Sequence, residues 1–126
     1  MEGQLRANGH KAAVIICTDG ESSDGDVAAA LKPLHNLPVW VVIRLCTDEE
    51  NIVNYWNSID NVLELELDIL DDLVSEAEEV NKVNNWFTYG EPLHLLRQFG
   101  VSIKELDMLD EKALTIDQIR DVCAIM

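Results

Sequence analysis

The stretch Ala12-Ala13-Val14-Ile15-Ile16-Cys17, closed by Thr18-Asp19-Gly20, decides how this chain is read. An unbroken apolar run rich in β-branched residues and stopped by a polar turn predicts a strand buried on both faces. The loop Glu21-Ser22-Ser23-Asp24-Gly25-Asp26 comes next. Within it, Ser23 or Asp24 is placed to cap a helix over 26–36 with Val27, Ala30, Leu31 and Leu34 inward. Leu37-Pro38 ends that helix, because proline disfavours helical geometry in the residue before it.

Working outward, Val39-Trp40-Val41-Val42-Ile43-Arg44-Leu45 predicts a second buried strand. Thr47-Asp48-Glu49-Glu50 then supplies a capping residue and first-turn acids for a helix to about Asp60. Ile52, Val53, Tyr55, Trp56 and Ile59 form its apolar side. The segment 62–67 alternates apolar and charged residues, which predicts a third strand with one wet face, nearer a sheet edge. Strands that alternate with helices pair in parallel, since each helix carries the chain back across the sheet. The expected fold is therefore α/β and Rossmann-like, two- or three-layered, with a short, mainly parallel sheet flanked by helices.

The rest of the chain reads as mostly helical. Residues 71–83 predict a helix with a solvated acidic face, and 91–99 a helix with Pro92 in its first turn and Gly100 past its end. Residues 101–110 read as a short strand or turn, and Thr115-Ile116-Asp117-Gln118 as a capping box opening a helix to about 125. Residues 1–11 read as a flexible start. Nothing between 12 and 126 resembles a linker, so a single domain is expected there.

Composition narrows the partners. The 126 residues are 48% hydrophobic and 26% charged, a globular balance. Acids outnumber bases 24 to 9, for a formal charge of −15. Without a lysine or arginine cluster, neither nucleic acid nor an anionic membrane is an expected partner. Basic protein surfaces and hard cations fit the charge as partners, and composition alone favours the plainer reading that it keeps the domain soluble. The three cysteines are dispersed, show no zinc spacing, and put Cys17 and Cys46 near the ends of apolar runs as small core residues. They point to a reducing, intracellular setting, cytoplasmic or nuclear.

Val14 through Gly20 resembles the fourth-strand segment of von Willebrand factor A domains, where an apolar strand runs into a Thr-Asp-Gly turn, a polar loop and a helix. The order that follows, over roughly residues 11 to 99, is similar too. The resemblance implies a protein-interaction module and places Asp19 at the position of a magnesium-ligating aspartate. The chain departs from the family in having no DxSxS motif and few residues before Val14, so it is similar to the second half of the fold, as a half-domain or fragment. The Asp19 strand would be central in a full sheet. Here its edge needs a cover: residues 101–110, the last helix, a second copy of the chain forming a homodimer, or an N-terminal half.

Ligands of such sheets gather at the strand carboxyl ends. The candidate metal ligands, for Mg²⁺, are thus Asp19, Asp24 and Asp26 with Ser22 and Asp48; the competing reading is an ordinary loop whose acids cap a helix. Trp86 and Tyr89 are candidate partner anchors, Phe87 is expected in the core, and His94 on the surface. Three functional readings follow: a non-enzymatic interaction module, a small Mg²⁺-dependent enzyme or phosphoacceptor using Asp19, and a structural unit that completes or dimerises a sheet.

Overall fold

The structure, a computed structural model, describes residues 1–63, 66–101 and 103–125. It is α/β as the sequence predicts. β1 (Ala12–Thr18), β2 (Val39–Leu45) and β3 (Leu67–Leu70) form one parallel sheet in the order β1-β2-β3. The helices are α1 (Glu2–Asn8), α2 (Val27–Leu31) with a 3-10 turn at Lys32–Asn36, and α3 (Glu50–Val62). They are followed by α4 (Leu73–Val83), α5 (Glu91–Gln98), α6 (Lys104–Asp107) and α7 (Ile116–Ile125). No helix among the described residues is long and apolar enough to cross a membrane.

The strand pleat gives the sheet two different faces. One face carries Val41, Ile43, Leu45 and Leu67, which pack with Leu31, Trp56, Ile59 and Leu63 into an apolar core under α2 and α3. The opposite face carries Trp40, Val42 and Leu70, with α5 against β2. A second core lies among the later helices: Val80, Phe87, Leu93, Leu106, Leu109 and Val122 belong to it. Buried Asn84 ties it together, donating to the carbonyls of Leu109 (2.6 Å) and Lys112 (2.8 Å) and accepting from the amide of Leu114 (3.0 Å).

Several expectations need correction. The first eleven residues include a helix, paired internally by Arg6 and Glu2 and closed by Gly9 at φ 65, though none of its residues is buried. The 26–36 helix begins one residue later, with Asp26 rather than Ser23 or Asp24 as its cap, and tightens to a 3-10 turn where Pro33 lacks an amide to donate. The third strand is Leu67–Leu70, not 62–67, because α3 continues to Val62; Glu64 and Leu65 lie outside the described residues. Within 101–110 the described residues form α6 and a turn at 108–110, so of the two expectations the turn holds and the strand does not. The acidic face of α4 is not wholly solvated, since Glu76 is buried. The capping box holds: the Thr115 amide donates to Gln118 Oε1 at 2.9 Å, and the Gln118 amide to Thr115 Oγ1 at 3.4 Å.

β1 is neither central nor buried on both faces. It stands at the edge of the three strands, and Ala13, Ile15 and Cys17 are exposed. Cys46 is exposed as well, at the end of β2 rather than within it. What touches β1 on its open face is the end of α5: a methyl group on Gly100 would lie 2.5 Å from Ala13 Cβ, and Gly100 has φ +80. Glycine is needed there for both the contact and the turn.

Candidate functional site

Both outer edges of the sheet are candidate sites, and each is fixed by the ladder between the strands. The Ala12 amide donates to the Pro38 carbonyl (2.9 Å) and the Thr18 carbonyl accepts from Cys46 (2.8 Å), so the even residues of β1 turn toward β2. The backbone groups of Ala13, Ile15 and Cys17 therefore face outward. Likewise the Val41 amide donates to the Glu66 carbonyl (3.0 Å), which leaves the backbone of Leu67 and Ile69 facing outward from β3.

The β1 edge is apolar. Ile15 is 42% exposed, while its sheet neighbour Val42 is fully buried. Nearby α5 is inverted for a surface helix: Leu93, His94 and Arg97 are buried, and Leu95, Leu96 and the adjoining Phe99 are exposed, Phe99 to 72%. Asp68 on β3 is the reason for the inversion. It continues the sheet row of Ile15 and Val42 and is 5% exposed, so α5 must turn a cation inward to meet it.

Arg97 is that cation. Its Nη2 and Nε donate to the two oxygens of Asp68 (2.8 and 3.2 Å), and its Nη1 donates to Glu76 Oε2 (3.0 Å) and Tyr89 Oη (3.3 Å). Asp110 lies 3.7 Å away. Burial alone would lower the guanidinium pKa, but Asp68 and Glu76 hold it firmly protonated. One cation does not balance three carboxylates. Burial raises the Glu76 carboxyl to about 7 against the pull of Arg97, with Asp110 adding to the rise.

Beside this cluster a groove of about 240 Å³ runs along the free edge of β3. One wall is α3, with Asn57, Asp60 and Asn61. The other is formed by Glu76 and Glu79 of α4 and by Asp107, Asp110 and Glu111 beyond them. Burial, reinforced by neighbouring acids, raises Asp60 to about 6 and Asp107 to about 7. One oxygen of Asp110 is buried with no hydrogen-bond donor. Among the described residues, Glu76, Glu79 and Asp110 form the one group of three or more ligand side chains close enough to share an ion, and they can hold a cation.

The strand-end residues singled out from the sequence are arranged differently. Asp26 accepts from the Ala29 amide as the cap of α2, and Ser22 donates to Asp24 at 3.3 Å. Asp19 and Asp48 are exposed, and among the described residues none of Asp19, Asp24, Asp26 and Asp48 joins a three-ligand group. The turn itself is well held: Thr18 Oγ1 accepts from the Gly20 amide (3.4 Å), and Trp56 Nε1 donates to the Gly20 carbonyl (3.0 Å). Trp86 is 42% exposed and bonded to Asn84, and Phe87 is buried. Tyr89 is not a surface anchor: it is 7% exposed, with its hydroxyl 3.0 Å from His94 Nδ1. His94 is buried too, contrary to its expected surface position, because Tyr89 gives it a polar partner inside. Burial, with Arg44 and Arg97 nearby, lowers its pKa.

The residues that sequence reading missed are Asp68, Glu76, Arg97 and Asp110. Periodicity in α5 points the wrong way: Pro92, Leu95, Leu96 and Phe99 line up as one apolar face, yet it is the Leu93, His94 and Arg97 side that is buried. No family model, curated protein or solved structure matches the chain.

Proposed function

We propose that this chain is a non-enzymatic protein-interaction module, one half of a doubly wound sheet that another polypeptide completes at β1. The observation that carries the reading is β1 itself. It is an apolar parallel strand with an open edge and with Ala13, Ile15 and Cys17 exposed. Parallel strands usually have neighbours and covered faces on both sides. A bare edge of this kind templates pairing with another chain.

Two further points support the reading. Doubly wound sheets follow the order 3-2-1-4-5-6, and three parallel strands in consecutive order match one half of it. The resemblance of Val14 through Gly20 to the fourth-strand segment of von Willebrand factor A domains, which rests on the sequence pattern alone, would give β1 a neighbour on its open side. The enzymatic reading has less support, because Asp19, Asp24 and Asp48 do not gather.

Self-pairing is favoured by one specific feature, the length and parity of β1. A two-fold antiparallel register centred on Ile15 pairs all seven residues, Ala12 against Thr18 and Ala13 against Cys17 of the second copy. It joins the outward backbone groups and gives a closed, isologous contact, an antiparallel seam between two parallel halves in place of a continuous doubly wound order. The charge of −15 on each copy opposes association, so pairing should tighten as salt is raised.

Sedimentation from micromolar to millimolar concentration tests this, together with a photo-crosslinking residue placed at 15 and, as control, at Lys32. A dimer that vanishes in Ile15→Lys identifies a second copy as the occupant. A monomer whose position-15 probe captures another protein, while position 32 does not, identifies a heterologous one. A monomer with no position-specific adduct would refute the reading.

A further inference from the structure

We infer that the hollow between α1 and the 3-10 turn at Lys32–Asn36 is a binding site for a small amphipathic anion, an organic carboxylate or phosphate monoester with an apolar body. It lies at the amino ends of β1 and β2 and uses none of Ala13, Ile15 and Cys17, so it goes beyond the β1 reading.

Three features point to that class of ligand. The first is size. The hollow holds about 480 Å³, within the range of roughly 300–1,000 Å³ that small-molecule sites occupy. The second is an apolar lining: Leu34, Leu37, Pro38 and Val39 form one side of it, next to Val41 of the sheet core. Leu37 is 40% exposed, apolar surface that the chain itself leaves in water and that an apolar body would cover. The third is charge. Acids outnumber bases 24 to 9 over the whole chain, yet Arg6, His10, Lys11 and His35 line this hollow against one acid, Glu66. The local balance is reversed, and it favours an anionic head.

The two strong cations are positioned with donors to spare. Arg6 Nε donates to Glu2 at 2.9 Å, and its Nη2 donates to the Asn36 carbonyl, which ties α1 to the 3-10 turn and leaves Nη1 for a ligand. Lys11 donates to Glu66, and an ammonium group has three protons to give. The charged oxygens of a carboxylate or phosphate accept from such donors in short, strong hydrogen bonds. Neither half of the ligand is enough alone. Inorganic phosphate does not cover Leu37, and a neutral apolar molecule has no charge for Arg6 and Lys11. Glu66 competes with the ligand for Lys11, so the two side chains have opposite effects on binding.

The test uses the full chain at low salt, followed by amide NMR. The probes are 1-naphthyl phosphate and 1-naphthoate, with 1-naphthol and inorganic phosphate as the separate halves. The expected result is saturable shifts at Lys11, Leu37 and Val39 with at least one probe, and roughly ten-fold weaker binding of each half. The probe that binds more tightly identifies the head as phosphate or carboxylate. Lys11→Gln should weaken binding roughly five-fold and Glu66→Gln should tighten it, since one removes a donor and the other a rival acceptor. Both side chains are exposed, so the fold should survive either change. A half that binds as tightly as its probe would overturn the amphipathic ligand. Variants that shift affinity in the same direction, or not at all, would overturn the part given to Lys11. Absence of shifts at millimolar probe, or shifts confined to the exposed Leu95, Leu96 and Phe99, would overturn the site altogether.

Discussion

β1 and β3 both stand at the outside of one sheet with outward-facing backbone groups, yet their surroundings are opposite. Around β1 the exposed side chains are Ala13, Ile15 and Cys17, whereas β3 is flanked by a buried Asp68–Arg97 pair and a groove walled with acids. Proteins guard strand edges with charge, brevity or cover. β3 has the first two, being four residues long. β1 has seven residues and no charge along it. The contrast teaches that the edges suit different kinds of contact. An apolar edge favours a lasting interface like a core cut in two, and a charged one favours a reversible, salt-sensitive one.

Removing Arg97 should break the β3 side most severely. In Arg97→Met, Asp68 and Glu76 stay buried at 5% and 2% exposure with no cation between them. The expected loss is about 3–5 kcal/mol at neutral pH, read by urea unfolding. Above pH 7 the loss should grow, because Glu76, raised to about 7 even beside Arg97, is raised further without that cation and must bind a proton to stay buried. Adding Asp68→Asn and Glu76→Gln to the same chain should recover much of it at any pH. A loss that ignores pH would mean that packing, rather than charge, governs this cluster.

On the β1 side the tightest point is Gly100. Gly100→Ala places a methyl group 2.5 Å from Ala13 Cβ at a φ of +80, so both contact and backbone resist it. The expected cost is about 2 kcal/mol by thermal unfolding. Ala13→Gly in the same chain should relieve the contact but not the backbone strain, a partial rescue that separates the two.

A smaller effect, of opposite sign, belongs to the groove. Asp107 is raised to about 7 by burial and by neighbouring acids, Asp68 first among them. A carboxyl raised on folding contributes stability fully present below its unfolded pKa, near 4, and lost as pH rises through about 7. Asp60, raised to about 6, acts in the same direction. The wild type should therefore gain from these groups as pH falls from 8 toward 5. Asp107→Asn should stabilise at pH 8 by about 1 kcal/mol, discounted for the groove's open mouth, and do little at pH 4. A destabilised Asp107→Asn at pH 8 would show that this carboxylate is already paired.

The sheet was legible in the sequence and the acidic site was not, for a physical reason. β1 and β2 are apolar runs whose character comes from local composition, so their positions follow from a short window of residues. β3 was misplaced because the alternation at 62–67 mimics a strand, while α3 continues to Val62 and its end is capped by the Leu63 amide on Asp60 and Ile59. Asp68 falls just past the strand expected at 62–67, and only Arg97, twenty-nine residues away, makes it an inside residue. His94 and Tyr89 misled in the same way, each buried because the other supplies a partner. Charged and polar residues carry no local mark of burial; their partners lie far along the chain. The strand-end acids failed to converge because Asp26 is engaged as a helix cap, the ordinary loop role weighed against metal binding.

The smallest expected effect is the most informative about the β1 edge. Ile15 and Val42 are paired across the ladder on the same face, one 42% exposed and the other fully buried. Threonine keeps the β-branched shape of either residue but adds a hydroxyl. Val42→Thr buries that hydroxyl without a partner and should cost about 1–3 kcal/mol. Ile15→Thr leaves its hydroxyl in water and should stay within about 0.5 kcal/mol in the dilute monomer. Measured by urea unfolding at low concentration, this difference reports how bare β1 is when the chain is alone. As concentration rises or a partner is added, the cost at Ile15 should grow toward that at Val42, because docking buries the position. Equal costs at every concentration would mean that β1 is already covered within the monomer, and the apolar edge would then be an inner surface of this chain.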